Sequence, residues 1–382
     1  MVCKELFHTI DALYPAYVRV WEDVCNLESP TSSKAAVDVV GQYFVRMARE
    51  KGWDVILDPQ DNAGDAICIT LNPQAPGQSL AFSGHIDTVH PVGLFGSPAV
   101  RRDEEKIYGP GVTDCKGGVV ASFLAMDALD RCGFRDRPVK LIIQTDEETS
   151  SKNSGLKTVD FMCRMASDCA AFLNTEFMDG DTAVLIRKGI LRYVVHITGK
   201  AVHSSLCYDG ASAIAEAAHK ILELEKQKDP QGLTINCGVI QGGTVSNTVA
   251  QECSFTVDIR FIDNQQYHHA VELVRQVAET VYVPGCSCRL EEVSLRPAMP
   301  YEAHNQALLD QMNSIYAQSG LPVLAGRMTP SGSDAAYTTQ AGVPSIDSIG
   351  VEGGDIHSIR EWAYTESLAR CAKRLASVAM CL

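Results

Sequence analysis

Residues 138–148 read PVKLIIQTDEE. The run from Pro138 to Gln144 is short and almost continuously apolar, as a strand buried on both faces should be. It ends on two adjacent acids, Glu147 and Glu148. Moving upstream, GDAICITL (64–71) and SLAFSGH (79–85) read as strands, and a helix is expected over about 117–131. Downstream, a helix near 155–165 precedes a further strand-like run, CAAFLNTE (169–176). Strands alternating with helices predict an α/β domain, a mixed sheet with helices on both faces.

The pattern changes near residue 190. LRYVVHIT (191–198) alternates, with Leu191, Tyr193, Val195 and Ile197 on one face. SFTVDIRF (254–261) alternates too, with Phe255, Val257, Ile259 and Phe261 inward and Asp258 and Arg260 outward. Between them lie a helix from about 210 and a strand, LTINCGVI (233–240). Ile214, Ala217, Ala218, Ile221 and Leu222 are spaced as the buried stripe of that helix. A second helix carries Ala270, Leu273, Val274 and Val277, and CSCRLEEV (286–293) closes the set. The order βαββαβ is the ferredoxin-like arrangement, with one sheet face left open and suited to a second copy. After Arg296-Pro297 the α/β pattern returns: a helix over about 303–318, a turn at SGSD, a helix over about 334–340, a strand PSIDSI (344–349), a Gly-rich loop to His357 and a last helix from about 365. The expected organisation is a discontinuous catalytic domain, 1–187 and 297–382, interrupted by a lid and dimerisation domain, 188–296.

The chain has 382 residues, 33 basic and 47 acidic, and a net charge of −14 without a Lys/Arg-rich run, which disfavours a phosphate backbone as partner. The first residues read as an amphipathic helix rather than a signal peptide, and no stretch approaches the roughly 18 apolar residues of a membrane span. The 14 Cys show no Cys-x-x-Cys spacing. The expectation is a reduced, cytoplasmic protein with thiols serving as small buried hydrophobes.

Four strand ends carry His85 and Asp87, then Asp114, then Glu147 and Glu148, then Glu176. The intervals 85 to 114, 114 to 147 and 148 to 176 are 29, 33 and 28 residues, near one βα unit each. In open α/β sheets such side chains meet beyond the carboxyl ends of the strands. Several carboxylates in one crevice repel unless something positive lies among them. Imidazole and carboxylate donors suit Zn²⁺, with Co²⁺ or Mn²⁺ able to substitute. Two ions require a bridging carboxylate and a second imidazole, for which His357 in GGDIHS is the candidate.

These segments, with YGPGVTDCKGG, NTEF, GKAVHSS, GVIQGGTVSNTV, VDIRF and SGSDA, resemble the M20 family of di-zinc metallopeptidases and deacylases, in particular its glutamate carboxypeptidase-like branch. They occur in the family's order across nearly the whole chain. The resemblance implies two Zn²⁺ per subunit. Asp114 is then the bridging carboxylate, His85 and Glu176 hold one ion, and Glu148 and His357 hold the other. It implies that Asp87 orients His85, that Glu147 is the general base, and that His203 stabilises the oxyanion in a neighbouring subunit's site. Asn247 and Arg260 would hold a substrate carboxylate, and Gly332 and Ser333 would lie near substrate. A Glu at position 176 is similar to the carboxypeptidase and deacylase members, where aminopeptidases and dipeptidases usually carry Asp.

The reaction this implies is attack on an amide by a metal-bridging hydroxide, with Glu147 moving the proton. The expected activity is release of a C-terminal amino acid, glutamate-like or another, from a small peptide or acyl-amino acid. An N-acyl amino acid deacylase with the same site is the alternative, and a non-catalytic metal-binding scaffold is the bland one. A homodimer through the lid is expected. Lys188 reads as a solvated hinge charge, and His90, His196, His219, His268 and His269 as surface or face residues.

Overall fold

The computed structural model describes residues 3–229 and 232–382. The chain divides into two compact units. The larger comprises the residues up to Leu185, Tyr301–Met328 and Tyr337–Leu382, and the smaller comprises Ile186–Pro300 and Thr329–Ala336.

The larger unit is built on a six-stranded sheet. Its spatial order is Asp54–Asp58, Ala66–Leu71, Val139–Gln144, Ser79–His85, Cys169–Asn174 and Ser345–Ile346. The first two pairings are antiparallel and the remaining three parallel, so the sheet is mixed. Every residue of Ala66–Leu71 and Ser79–His85 is buried. Successive strand side chains point to opposite faces, so both faces of the sheet are covered. Helices Lys4–Asn26, Lys116–Arg131 and Ser367–Cys381 pack on one another, while Lys34–Glu50 and Lys157–Ala166 pack against the antiparallel strands. Lys116–Arg131 is buried on all sides from Lys116 to Leu129, which explains its lack of a polar stripe. Its first turn requires glycine: a Cβ on Gly118 would lie 2.0 Å from the Thr175 carbonyl oxygen.

The expected strand at 344–349 is only two residues long, Ser345–Ile346. Beyond it the Asp347 carboxylate accepts from Asn174 Nδ2 at 3.1 Å, and Ser348 turns the chain with φ 56°. A small four-stranded sheet adds to the expected pattern. Gly353–Gly354, Trp362–Tyr364, Lys106–Tyr108 and Arg101–Arg102 pair in that order.

The smaller unit has the antiparallel order Thr234–Gly242, Glu252–Phe261, Gly189–Thr198, Ser287–Arg296, with helices Ala213–Glu225 and Asn264–Glu279. Leu191, Tyr193, Val195, Ile197, Phe255, Val257, Ile259 and Phe261 are buried under the helices, as their alternation requires. Asp263 starts Asn264–Glu279 with a reciprocal cap. Its Oδ1 accepts from Gln266 N at 2.8 Å, and Gln266 Oε1 accepts from Ile262 N at 3.1 Å.

One helix is rotated from expectation. Ala213–Glu225 buries Ala213, Glu216, Ala217, Lys220 and Leu224, and leaves Ile214 42% and Leu222 60% exposed. Two charged residues thus occupy the inner stripe. Lys220 and Glu216 pair at 2.9 Å, and Lys220 Nζ donates to the carbonyls of Val277, Ala278 and Thr280 at 2.7, 3.0 and 2.6 Å. Glu216 Oε2 accepts from the Tyr282 and Val283 amides at 2.9 and 2.6 Å. Lys220 supplies donors where the neighbouring helix runs out of them, and this satisfaction is what permits the burial.

Candidate metal centre

His85 ends the strand Ser79–His85, which is flanked in parallel by Val139–Gln144 and Cys169–Asn174. Glu147 and Glu148 follow the first neighbour and Glu176 the second, so one edge of the sheet carries all four side chains. Asp114 sits in the loop between Lys106–Tyr108 and helix Lys116–Arg131, and its peptide bond to Cys115 is cis. His357 lies on the turn between Gly353–Gly354 and Trp362–Tyr364, with φ 59°.

Five of these groups, His85, Asp114, Glu148, Glu176 and His357, converge. His85 Nε2 is 3.0 Å from Asp114 Oδ1 and 3.6 Å from Glu176 Oε1. His357 Nε2 is 3.1 Å from Asp114 Oδ2 and 3.2 Å from Glu148 Oε2. The two oxygens of Asp114 therefore face different imidazoles, each of which also meets its own glutamate. Donor atoms around one tetrahedral ion with bonds of about 2.0–2.2 Å lie roughly 3.3–3.6 Å apart; one observed spacing falls in that range and three are 0.1–0.3 Å shorter, so small outward shifts of these side chains would admit a cation on each side of Asp114. The chemistry of the donors, two imidazoles and three carboxylates, fits zinc or a similar divalent ion.

Electrostatics shows the same need for positive charge. Burial and the Asp114 charge push Glu148 up to about 7, and the same two causes raise Glu176 well above the carboxylate range. Burial alone would raise Asp114 too, but hydrogen bonds from His357 and His85 hold it far below the usual range. Bonds to Asp114 and then Glu148 lift His357 up to about 11. Like-charged carboxylates crowded out of water in this way are what bound cations would balance.

Asp87 is fully buried and serves two groups. Its Oδ1 is 3.4 Å from His85 Nδ1, although that nitrogen lies nearer the Asp87 carbonyl oxygen, at 3.0 Å. Its carboxylate accepts from the amides of Glu147 and Glu148 at 3.2 and 3.1 Å and from Thr31 Oγ1 at 2.8 Å. Asp87 therefore holds the acid loop as well as facing the imidazole. Glu147 is buried, 8% exposed.

Sequence reading missed Cys115. Its Sγ accepts from the His85 amide at 3.3 Å and lies with His85 and Glu176 within a 4.8 Å group of donor atoms. Burial pushes this thiol well up from its ordinary value, while its Sγ stands among the candidate donors of the centre.

The remaining candidates lie in the smaller unit. His203 is exposed, its Nδ1 2.8 Å from Ser205 Oγ, and it bridges Thr248 beside Asn247. The Asn247 carbonyl accepts from Ser204 N at 2.9 Å, so His203 and Asn247 share one locale. Arg260 donates from Nε to Asp258 Oδ1 at 2.7 Å, and Arg192 Nη2 donates to Asp258 Oδ2 at 2.7 Å. The Gly332 carbonyl accepts from Arg187 Nη1 at 3.1 Å, and Ser333 is buried. Lys188 is not solvated: it is 6% exposed and donates to the Gly232 carbonyl at 2.6 Å. In the larger unit His90 is also buried, 3.4 Å from Glu361 Oε2. Each is drawn inward by a polar partner that lies far off in sequence.

Fold and site together define a hydrolase of the metallopeptidase class. Residues 81–380 match the family Peptidase family M20/M25/M40, and the chain belongs to it. It is 26% identical to carboxypeptidase G2 of Pseudomonas sp. over 358 residues, 92% of this chain and 86% of the relative. It is 27% identical to acetylornithine deacetylase of Myxococcus xanthus over 320 residues, 78% of each. Its fold is similar to that of an aminopeptidase from Bacillus cereus, with TM-score 0.78 and 20% identity over 96% of this chain and 97% of that one. No described helix is long and apolar enough to cross a membrane.

Proposed function

We propose that the protein is a two-zinc carboxypeptidase that releases a C-terminal amino acid, glutamate among the candidates, from a small peptide or acyl-amino acid. The observation that carries this reading is the division of Asp114, one oxygen towards His85 and the other towards His357. In it, His85, Asp114 and Glu176 hold one ion, and His357, Asp114 and Glu148 hold the other. When bound, such ions lower the pKa of a water from about 15.7 to about 7 and polarise an amide carbonyl. Glu147 takes the proton of the attacking water and returns it to the leaving amine. Asp87 holds Glu147 in reach through its backbone amide. Arg260 and Asn247 bind the substrate carboxylate, Gly332 and Ser333 border the substrate, and His203 donates to the developing oxyanion.

The carboxypeptidase reading is supported by the likeness to carboxypeptidase G2 over 92% of this chain. The deacylase reading is kept as the alternative because the acetylornithine deacetylase matches at similar identity. We also propose a homodimer through the smaller unit. Ile214 and Leu222 on the exposed side of their helix, and Val239 and Ile240 on the edge strand Thr234–Gly242, leave an apolar face and an unpaired strand edge that a second copy would cover. All fourteen cysteines are free thiols, which suits the cytoplasm.

The test is a substrate panel with zinc analysis on the same sample. C-terminal glutamyl amides, other dipeptides and N-acyl amino acids are compared by kcat/KM. Preference for peptides and aroyl- or folyl-glutamates, with two zinc equivalents, is expected. Preference for N-acetyl amino acids would replace the reading by the deacylase. Two zinc equivalents without cleavage of any amide would leave only a metal-binding scaffold.

A further inference from the structure

One buried carboxylate next to the centre has no part in the reaction just described. Glu361 is 1% exposed and follows His357 by four residues. Its Oε1 accepts from the amides of Thr113 and Asp114 at 2.9 and 3.1 Å. Its Oε2 accepts from the Gly111 amide at 3.2 Å and lies 3.4 Å from His90 Nε2. The side chain therefore reaches from the segment carrying His357 into the loop carrying Asp114. Main chain reinforces the link. The Gly109 amide donates to the Glu361 carbonyl at 3.3 Å, and Thr113 Oγ1 donates to the Trp362 carbonyl at 2.5 Å. Trp362–Tyr364 pairs antiparallel with Lys106–Tyr108. Gly353 closes the same corner, because a Cβ there would lie 2.2 Å from the Trp362 carbonyl oxygen and 2.3 Å from Thr113 Oγ1.

Three amides on one carboxylate make a strong, directional clamp, since hydrogen bonds to an ionised acceptor are stronger than neutral ones. One of those amides belongs to Asp114 itself. Holding it sets where the Asp114 side chain starts and how its two oxygens face. The two sides of the centre depend on this clamp unequally. His85 ends a strand with a hydrogen-bonded neighbour on each side, and Glu176 lies two residues beyond another. His357 has a half-exposed side chain on a turn outside any ladder.

We propose that Glu361 is a positioning residue that locks the Asp114 loop to the His357 turn, and so sets the metal affinity of the His357, Asp114 and Glu148 side of the centre. The proposal rests on reading the cluster as a two-ion centre.

The experiment titrates metal-free full-length protein with Co²⁺, followed by visible absorption, and with Zn²⁺ against a chromogenic chelator. Wild type should take up two equivalents. Glu361→Gln keeps the shape but turns an NH₂ towards backbone donors. It should weaken one equivalent by about 10–100-fold, the range for groups that support a ligand from outside the coordination shell, and leave the other nearly unchanged. Arg360→Gln, at an exposed neighbour, should match wild type in both steps. Circular dichroism of the metal-free proteins checks folding. If Glu361→Gln does not fold, His90→Gln loosens the clamp from its rim and should weaken the same equivalent to a smaller degree. Wild-type affinities and Co²⁺ spectra at both steps in the Glu361→Gln protein, or in the folded substitute, would overturn the proposal, as would equal weakening of both. Uptake of a single equivalent by wild type would remove the two-ion reading and this proposal with it.

Discussion

Glu147 and Glu148 are adjacent yet differently employed. Both amides are tied to Asp87, so the backbone is fixed and the two side chains diverge from it. Glu148 reaches His357 at 3.2 Å, inside the cluster. Glu147, buried beside it, is the residue proposed above as the proton acceptor. Glu147→Gln is nearly isosteric and keeps every donor of the centre. It should bind metal as wild type does while kcat falls by about 10²–10⁴-fold, the usual contribution of a positioned base. Metal content and kcat on one preparation check this. Turnover near wild type would reassign the base.

At the scale of elements, the helix Ala213–Glu225 shows packing overriding pattern. Its apolar spacing admits two stripes, and the buried one includes a paired Glu216 and Lys220. The pair is stable there because it meets the ends of neighbouring backbone: three carbonyls take the ammonium and two amides take the carboxylate. Removing one partner of such a pair leaves the other charge buried and uncompensated. Lys220→Met should therefore lower stability by roughly 3–5 kcal/mol, read as a lower urea midpoint. A change below about 1 kcal/mol, the range of exposed ion pairs, would mean that the pair contributes little.

At the scale of the whole molecule, that rotation turns Ile214 and Leu222 to solvent beside the edge strand. An apolar stripe next to an unpaired strand edge is an aggregation hazard for a monomer and an interface for a dimer. The double change Ile214→Glu with Leu222→Glu puts like charges on this face while sparing the core. For the homodimer proposed above, sedimentation should shift from dimer to monomer, and activity should fall with it if His203 serves the partner's site. A dimer that persists would move the interface elsewhere.

Several features were open to reading in one dimension because they depend on neighbours in sequence. Period-two alternation marks Leu191 to Ile197 and Phe255 to Phe261, and those residues are the buried ones. His85, Glu148 and Glu176, at or just past strand ends, gather because parallel strands deliver their carboxyl ends to one edge, whereas Asp114 and His357 arrive on loops of the small sheet rather than on core strands. What sequence could not supply is any pairing between distant segments whose only local sign is an ordinary polar residue. Glu361 looks like a surface acid until its three amide donors, some 250 residues earlier, fold over it. His90 and Lys188 look solvated until a partner takes them in. By itself, then, the order of residues determined the main-sheet strands and the βαββαβ order, since each follows from local period and spacing, and it offered His85, Asp114, Glu148, Glu176 and His357 as candidate ligands without Cys115. Only the tertiary structure decided which side of a helix is inward, which oxygen of Asp114 faces which imidazole, and what holds that loop in place. Those depend on contacts a few ångströms long between groups hundreds of residues apart.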